Sequence, residues 1–320
     1  MNVPDIFHFL ILPGFSALGF MSAIEPLRVA NRFRKGVYQW VIVSSDGNAV
    51  PASNGIMVQA DVSMSEVTDA KTVFVVSGFE PLVAYTPTLG AWLRQLSMQG
   101  AVLGGIDTGV FTLAEANLIG SERVTLHWEA ASSFNERYPS ITYVTELFEL
   151  CDQRITCAGG TATIDLMLDI ILRRHGAELA FSISEQFVLG GVRERSDHQR
   201  MQVTARYNIH NAKLVLAIEL MEHHMEEPLA TDEIAKQVGI TRRQLERLFC
   251  HELADTPARF YTGLRLTRAR QMLQNSTLSI MEVCIACGFE SPSHFSRAYR
   301  AKYSLAPRND RSTPPHTSVA

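Results

Sequence analysis

Side chains suited to reading a nucleic acid occur twice near the carboxyl end of this 320-residue sequence. Arg242, Arg243, Gln244 and Arg247 form one set; Ser293, His294, Ser296, Arg297 and Arg300 form the other. Arg and Gln pair bidentately with base edges, and further Arg and Ser groups suit phosphate oxygens. Each set follows the same lead-in. A short helical pattern carries a small residue (Ala235, Cys284) four places before a glycine (Gly239, Gly288), then an apolar residue, then a polar-faced helix. Two helices crossing steeply over a tight turn need a small side chain where they touch and a glycine where the chain reverses. Thr241 with Gln244 and Ser279 with Glu282 fit capping boxes, and Ser291-Pro292 fits a cap with proline at the first helical position. Leu245, Leu248 and Phe249, like Phe295, Ala298 and Tyr299, fall at spacings that bury one face and leave the other for DNA. One such match could be two solvated helix faces; a doubled match, its glycines about 49 positions apart, argues for paired helix-turn-helix units. Between them Ala258 to Leu273 reads as a single helix about 24 Å long.

A second candidate lies in the first half. Short apolar runs (Ile6 to Leu12, Trp40 to Val43, Thr72 to Val76, Ala101 to Leu103) alternate with helical patterns, which predicts a parallel sheet covered on both faces. Ligands in such folds sit beyond the carboxyl ends of the strands. That rule points to Pro13-Gly14-Phe15, Ser77-Gly78 and Gly104-Gly105-Ile106-Asp107-Thr108-Gly109. After Gly159-Gly160 the pattern is almost wholly helical. The polar stretch Arg193 to Arg200 has no apolar period and reads as a linker.

The length is about twice that of a typical domain, and 46% hydrophobic with 19% charged residues allows a sizeable core. Net charge is −4, unevenly spread: residues 1–205 carry 14 basic and 21 acidic side chains, residues 236–311 carry 13 and 6. An acidic body with a basic end is expected when one end meets a polyanion. Five cysteines make no disulfide framework and fit a reducing, cytoplasmic setting. Ile6 to Ile24 lacks charges, but Pro13-Gly14 interrupts it, so no membrane segment is expected. Cys284 and Cys287 have metal-like spacing yet fall at buried positions of the second motif, His223-His224 has no i, i+4 partner histidine, and Gly104-Gly105 lacks a following Gly-Lys-Ser/Thr. No metal or cofactor is expected.

Residues 214–307 resemble the AraC/XylS transcription-factor domain, most closely across Gly288-Phe289-Glu290-Ser291-Pro292-Ser293-His294-Phe295-Ser296-Arg297-Ala298-Tyr299. Ser304 stands where that family usually has glycine, and Asn309-Asp310 replaces its aromatic ending. The first half resembles the PfpI-like branch of the class I glutamine-amidotransferase superfamily, as found in GlxA-type AraC regulators, through Glu25 to Asn31, Ser77-Gly78, Gly105 to Gly109 and Thr125-Leu126-His127-Trp128. Enzymes of that superfamily carry a cysteine at the strand-to-helix elbow, where this chain has Asp107. A carboxylate attacks carbonyls poorly, so an enzyme is not expected.

The resemblance implies that Glu25 and Asp107 face a cavity lined by Phe15, His127 and Trp128, with Ser77, Gly78 and Thr108 beside it. Such a site suits a small cationic metabolite: a quaternary ammonium compound such as glycine betaine or carnitine, or a basic amino acid. Each residue has a structural alternative: Asp107 as a helix cap, Phe15 and Trp128 as core, His127 as a packing histidine. The expected architecture is a flavodoxin-like α/β sensor (1–191), a linker (192–207), an all-α double helix-turn-helix domain (208–307) and a disordered tail (308–320). The expected function is a ligand-responsive transcription regulator, more an activator, acting on double-stranded DNA as a homodimer in contact with RNA polymerase. The alternatives are the same architecture with a vestigial pocket governed by protein contacts, and a PfpI-like hydrolase.

Overall fold

Alternation along the first strand, β1 (Asp5–Ile11), sets the layers of the amino-terminal unit. Phe7, Phe9 and Ile11 enter one core, Leu10 and the following Leu12 the other, and all five are buried. That two-residue period, apolar on both faces, is what a strand covered on both sides requires. The structure is a computed structural model that describes residues 3–200, 202–276 and 278–311. The chain divides into two units, 1–199 and 200–320.

In the first unit β1 is followed by α1 (Ala17–Phe33), β2 (Tyr38–Ser44), the short strands β3 (Val50–Pro51), β4 (Met57–Val58) and β5 (Val62–Ser63), then β6 (Thr72–Val76), α2 (Pro87–Met98), β7 (Val102–Ile106), α3 (Gly109–Glu115) and α4 (Ala131–Arg137). Strands β8 (Phe148–Cys151) and β9 (Arg154–Cys157) and helices α5 (Ala162–His175) and α6 (Ala177–Gln186) complete it. The described main sheet has the order β5-β2-β1-β6-β7-β9-β8, parallel except for the β8–β9 pair. Phe9 aligns with Ile42 and Phe74, and Phe74 with Gly104. A Cβ on Gly104 would run into the Phe74 ring, so glycine there lets β7 lie flat beneath an aromatic layer. The core of α1, α5 and α6 lies on one face; that of α2 lies on the other.

The second unit is helical: α7 (Val203–Tyr207), α8 (Ala212–His223), α9 (Thr231–Gln237), α10 (Arg242–Leu253), α11 (Pro257–Asn275), α12 (Ile280–Ala286), α13 (Pro292–Tyr303) and α14 (Pro307–Asp310). Two separate cores form, one around Leu214, Ile234, Leu245 and Phe249, the other around Leu273, Val283, Phe295 and Tyr299, with α11 contributing to both. The 19 residues of α11 make it about 28 Å long.

One expectation changes here. A disordered tail does not begin at Arg308: Pro307–Asp310 form a helical turn, and the buried Asp310 carboxylate accepts from Tyr299 Oη (2.8 Å) and Gln274 Nε2 (3.1 Å) and pairs with Arg270. The rest of that tail, residues 312–320 with Pro314-Pro315, lies outside the described residues. The range 192–207, read as a linker, contains the boundary between the two units and is bonded on either side of it. Arg193 and Gln199 bond to the first unit, while Val203 is buried in the second and Tyr207 packs on Phe260.

Candidate nucleic-acid interface and sensor elbow

The two helix-turn-helix copies are built alike. Ala235 and Cys284 are buried where the paired helices cross, and Gly239 (φ 72°) and Gly288 (φ 69°) turn the chain in the left-handed region that glycine enters freely. Cys284 donates to the Phe289 carbonyl at 3.3 Å and Cys287 lies 3.7 Å from Met272 Sδ; both thiols are fully buried core members. Thr241 and Ser291 cap the outer helices, accepting from the Gln244 and His294 amides at 3.3 and 3.4 Å. Ten positions of each outer helix, 241–250 and 291–300, show the same succession of exposed and buried residues, with Leu245 and Phe249 matching Phe295 and Tyr299.

Of the candidate readers, Arg243, Arg247, Ser293, His294, Arg297 and Arg300 stand exposed on these outer faces, and Ser296 is half-buried. Among the described residues the guanidiniums of Arg243, Arg247, Arg297 and Arg300 make no ion pair; Arg297 only donates to the Ser293 carbonyl at 3.3 Å. Two candidates are otherwise engaged. Gln244 spends its side-chain oxygen on the Thr241 amide at 2.8 Å, closing the capping box, so its first role is to start α10. Arg242 is bonded to Glu246 (2.8 Å) and Asp232 (3.2 Å), and those carboxylates hold its charge above the usual arginine range. Beyond each outer helix, Ala254 (φ 50°) and Ser304 (φ 58°) occupy left-handed C-caps, the geometry for which glycine is the common occupant.

The elbow of the first unit lies where β7 meets α3. Asp107 takes φ 62°, strained for a side-chain-bearing residue, and its amide donates to the Cys157 carbonyl at 3.0 Å. The turn closes tightly around it. Added Cβ atoms on Gly78 and Gly109 would strike the Gly14 and Val75 carbonyls, and one on Gly159 would lie 2.8 Å from Asp107 Oδ2. Buried Thr108 does not cap α3; its hydroxyl donates to the Gly78 carbonyl, fixing the Ser77-Gly78 turn against the elbow. The buried Ser77 in turn accepts the Ser16 amide at 3.2 Å.

Burial pushes the Asp107 carboxyl up to about 6, against the opposing pull of nearby His127 and a hydrogen bond from Ser16. Ser16, absent from the residues singled out by sequence, caps α1 by accepting the Gly19 amide at 3.2 Å and so joins the start of that helix to the elbow. Its sequence signal was a serine immediately before a helical period. His127 and Trp128 are half-buried, with ring centroids 5.7 Å apart, and His127 Nδ1 lies 3.9 Å from Glu129.

Two expected site members are otherwise engaged. Phe15 adjoins the elbow through its backbone, which pairs with Gly78, but its side chain is fully buried in the core, edge-on to Phe20 at 5.4 Å. Glu25 is held by Arg28 through contacts of 2.6 to 3.0 Å, and it follows Ser16 by nine residues of helix, about 13 Å along the axis. No carboxylate side chain spans that distance to Asp107. The thiol nearest the elbow is Cys157, fully buried and pushed up to about 12 by desolvation, so it is a thiol and not a thiolate.

Among the described residues no group of His, Cys, Asp and Glu is placed to hold a metal ion, and no helix is long and apolar enough to cross a membrane. A helix-turn-helix domain model matches residues 234–313, and a DJ-1/PfpI family model matches residues 8–173. The HTH-type transcriptional regulator CdhR of Pseudomonas aeruginosa is 55% identical over 309 residues, 97% of this chain and 92% of that protein. The HTH-type transcriptional regulator GlxA of Rhizobium meliloti is 36% identical over 301 residues, 93% of each. A crystal structure of an AraC family transcriptional regulator from Pseudomonas putida superposes on 57% of this chain and all of its own, with TM-score 0.54 and 27% identity. The chain belongs to the GlxA-type branch of the AraC family of helix-turn-helix transcriptional regulators, with a DJ-1/PfpI-type amino-terminal unit.

Proposed function

We propose that this regulator binds a promoter through both outer helices and that a small cationic metabolite, held at Asp107, sets its activity. The observation that carries the DNA reading is the doubled helix-turn-helix with one succession of exposed and buried positions. Arg243 and Arg247 on one copy, and Arg297 and Arg300 on the other, offer exposed guanidiniums with no acidic partner among the described residues. Two such helices joined by α11 suit successive major-groove faces, about 34 Å apart. Each surface is short, so the protein acts as a homodimer, and its regulatory output is contact with RNA polymerase.

For the ligand, the support is a desolvated carboxylate near His127, whose ring lies 5.7 Å from that of Trp128. A carboxyl raised to about 6 is still largely ionised at neutral pH, so a cation entering beside it offsets part of what desolvation cost. Trp128 offers a ring face for a cation. Hydrolysis is disfavoured on this reading, because Asp107 is a poor nucleophile and Cys157 is inaccessible and protonated.

Thermal shift with glycine betaine, carnitine and L-arginine tests the site. A ligand at 100 times its Kd stabilises by about 2.7 kcal/mol. The expected result is a shift with at least one of them at pH 7.5, fading as the pH falls below about 6 and absent in Asp107→Asn. No shift with any of them, or an equal shift in Asp107→Asn, would leave the pocket vestigial.

A further inference from the structure

The stretch with no apolar period, residues 193–199, is fastened to the first unit at three points. Arg193 grips the buried Asp165 carboxylate of α5 with its amide (2.9 Å), Nε (3.0 Å) and Nη2 (2.7 Å), and Nη2 also reaches Thr161 Oγ1 at 3.0 Å. Arg195 accepts the Leu147 amide at 3.0 Å, and its guanidinium lies 3.7 Å from the buried Glu149. Gln199 Nε2 donates to Thr125 Oγ1 and to the Glu146 carbonyl, both at 2.9 Å. Fork-shaped bonds from guanidinium to a buried carboxylate are directional and strong, yet they open when the partner moves by a fraction of their length.

Both ends of this strap are rooted in segments that also touch the elbow. Thr161 follows Gly159 (φ 84°) and Gly160 (φ 55°), a two-glycine joint whose first member lies against the Asp107 side chain. Thr125, whose amide is fixed by Thr156 Oγ1 at 2.9 Å, stands two residues before His127, the ring whose charge acts on Asp107. Gln199 is the last residue of the first unit. Freeing the seven residues would add up to about 24 Å of slack to the connection with the DNA-binding unit.

We infer that residues 193–199 form a releasable strap, clasped by Arg193 on Asp165, through which a change at Asp107 sets the length of tether available to the DNA-binding unit. Asp107 acts on the Gly159-Gly160 joint, the joint carries Thr161 and the start of α5, and the clasp tightens or opens accordingly. This rests on Asp107 being the sensing residue, but the strap can be tested with no ligand present.

Amide hydrogen exchange on the full-length protein reads it directly, because the Arg193 amide is held by Asp165 and the Leu147 amide by the Arg195 carbonyl of the strap. Asp107→Asn should change the exchange rate of both amides at least about fivefold, whereas Glu178→Gln, exposed on α6, should leave them within twofold. Arg193→Lys keeps the charge and loses the fork; adding Asp107→Asn to it should produce no further change at Leu147. Unaltered exchange at both amides in Asp107→Asn, or additive effects in the double variant, would overturn the strap. Failure of betaine and arginine to bind would remove the cation reading alone, since the exchange measurement uses neither.

Discussion

The two helix-turn-helix copies share a frame and differ in how they are braced. Up to the turn they are 49 residues apart and from the cap onward 50: Gly239-Ile240-Thr241 is matched by Gly288-Phe289-Glu290-Ser291, one residue longer. The first copy is braced by charge, with Asp232, Arg242 and Glu246 linked across its outer surface. The second is braced by packing. Its turn glycine sits against Pro228 and the Met225 carbonyl, the Arg265 guanidinium lies 4.1 Å above the Phe289 ring, and Tyr299 reaches Asp310. A shared backbone plan thus keeps Arg243, Arg247, Arg297 and Arg300 exposed in both copies, while the bracing differs: ion pairs in the first, ring and buried contacts in the second.

The largest expected effect breaks the symmetry of the turns. In Gly288→Ala the new methyl would lie 2.5 Å from Pro228 Cγ at a φ of 69°, whereas in Gly239→Ala the nearest atom is the flexible Lys213 Nζ at 3.4 Å. Thermal unfolding of the full chain should show a loss of about 2–4 kcal/mol for the first and about 1 kcal/mol for the second. Equal losses would contradict the packing account of the second copy.

Next in size are the proposed readers. Arg243→Ala and Arg297→Ala should each weaken specific binding by about 1–3 kcal/mol, with the loss of footprint confined to a different major-groove segment in each variant. A third left-handed position, Asp107, extends the comparison to the sensor. Its carboxyl is raised in the folded state from 3.8 to about 6, so the folded state holds the proton more tightly and stability falls as the pH rises through that window. Asp107→Asn should therefore stabilise the unliganded protein by about 1–2 kcal/mol above pH 6 and make little difference below pH 4, as read from melting temperature against pH. The smallest effect belongs to Arg242→Ala. Its charge is already met by Asp232 and Glu246, so DNA affinity should change by less than about 0.5 kcal/mol.

The frame was legible because its signals are steric and local. Small residue, glycine, cap and buried period must fall at fixed offsets for any helix-turn-helix, and buried parallel strands must be apolar throughout. Side-chain allegiance was not legible in the same way. Gln244 satisfies the rules for both a cap and a base reader, and only the built helix shows the cap taking its oxygen. Glu25 belonged to a matching motif, yet counting nine residues from Ser16 along a helix would have separated it from the elbow. Cys157 comes beside Asp107 through the register of β9 on β7, 50 residues away in sequence. The attachments of residues 193–199 leave no periodic trace, because they are polar and periodicity detects only apolar burial. Asp310, a departure from the family's aromatic ending, proves to be the buried carboxylate that ties α13 to α11.

The central claim is two equivalent reading helices on one duplex, and hydroxyl-radical and methylation footprinting of the full-length protein on an operator selected from random sequence tests it most directly. The account predicts two protected major-groove segments per protomer, 10–10.5 base pairs apart, of which Arg297→Ala loses one and Arg243→Ala the other, with affinity falling steeply as salt rises. A single protected segment, or a footprint unchanged in both variants, would contradict it.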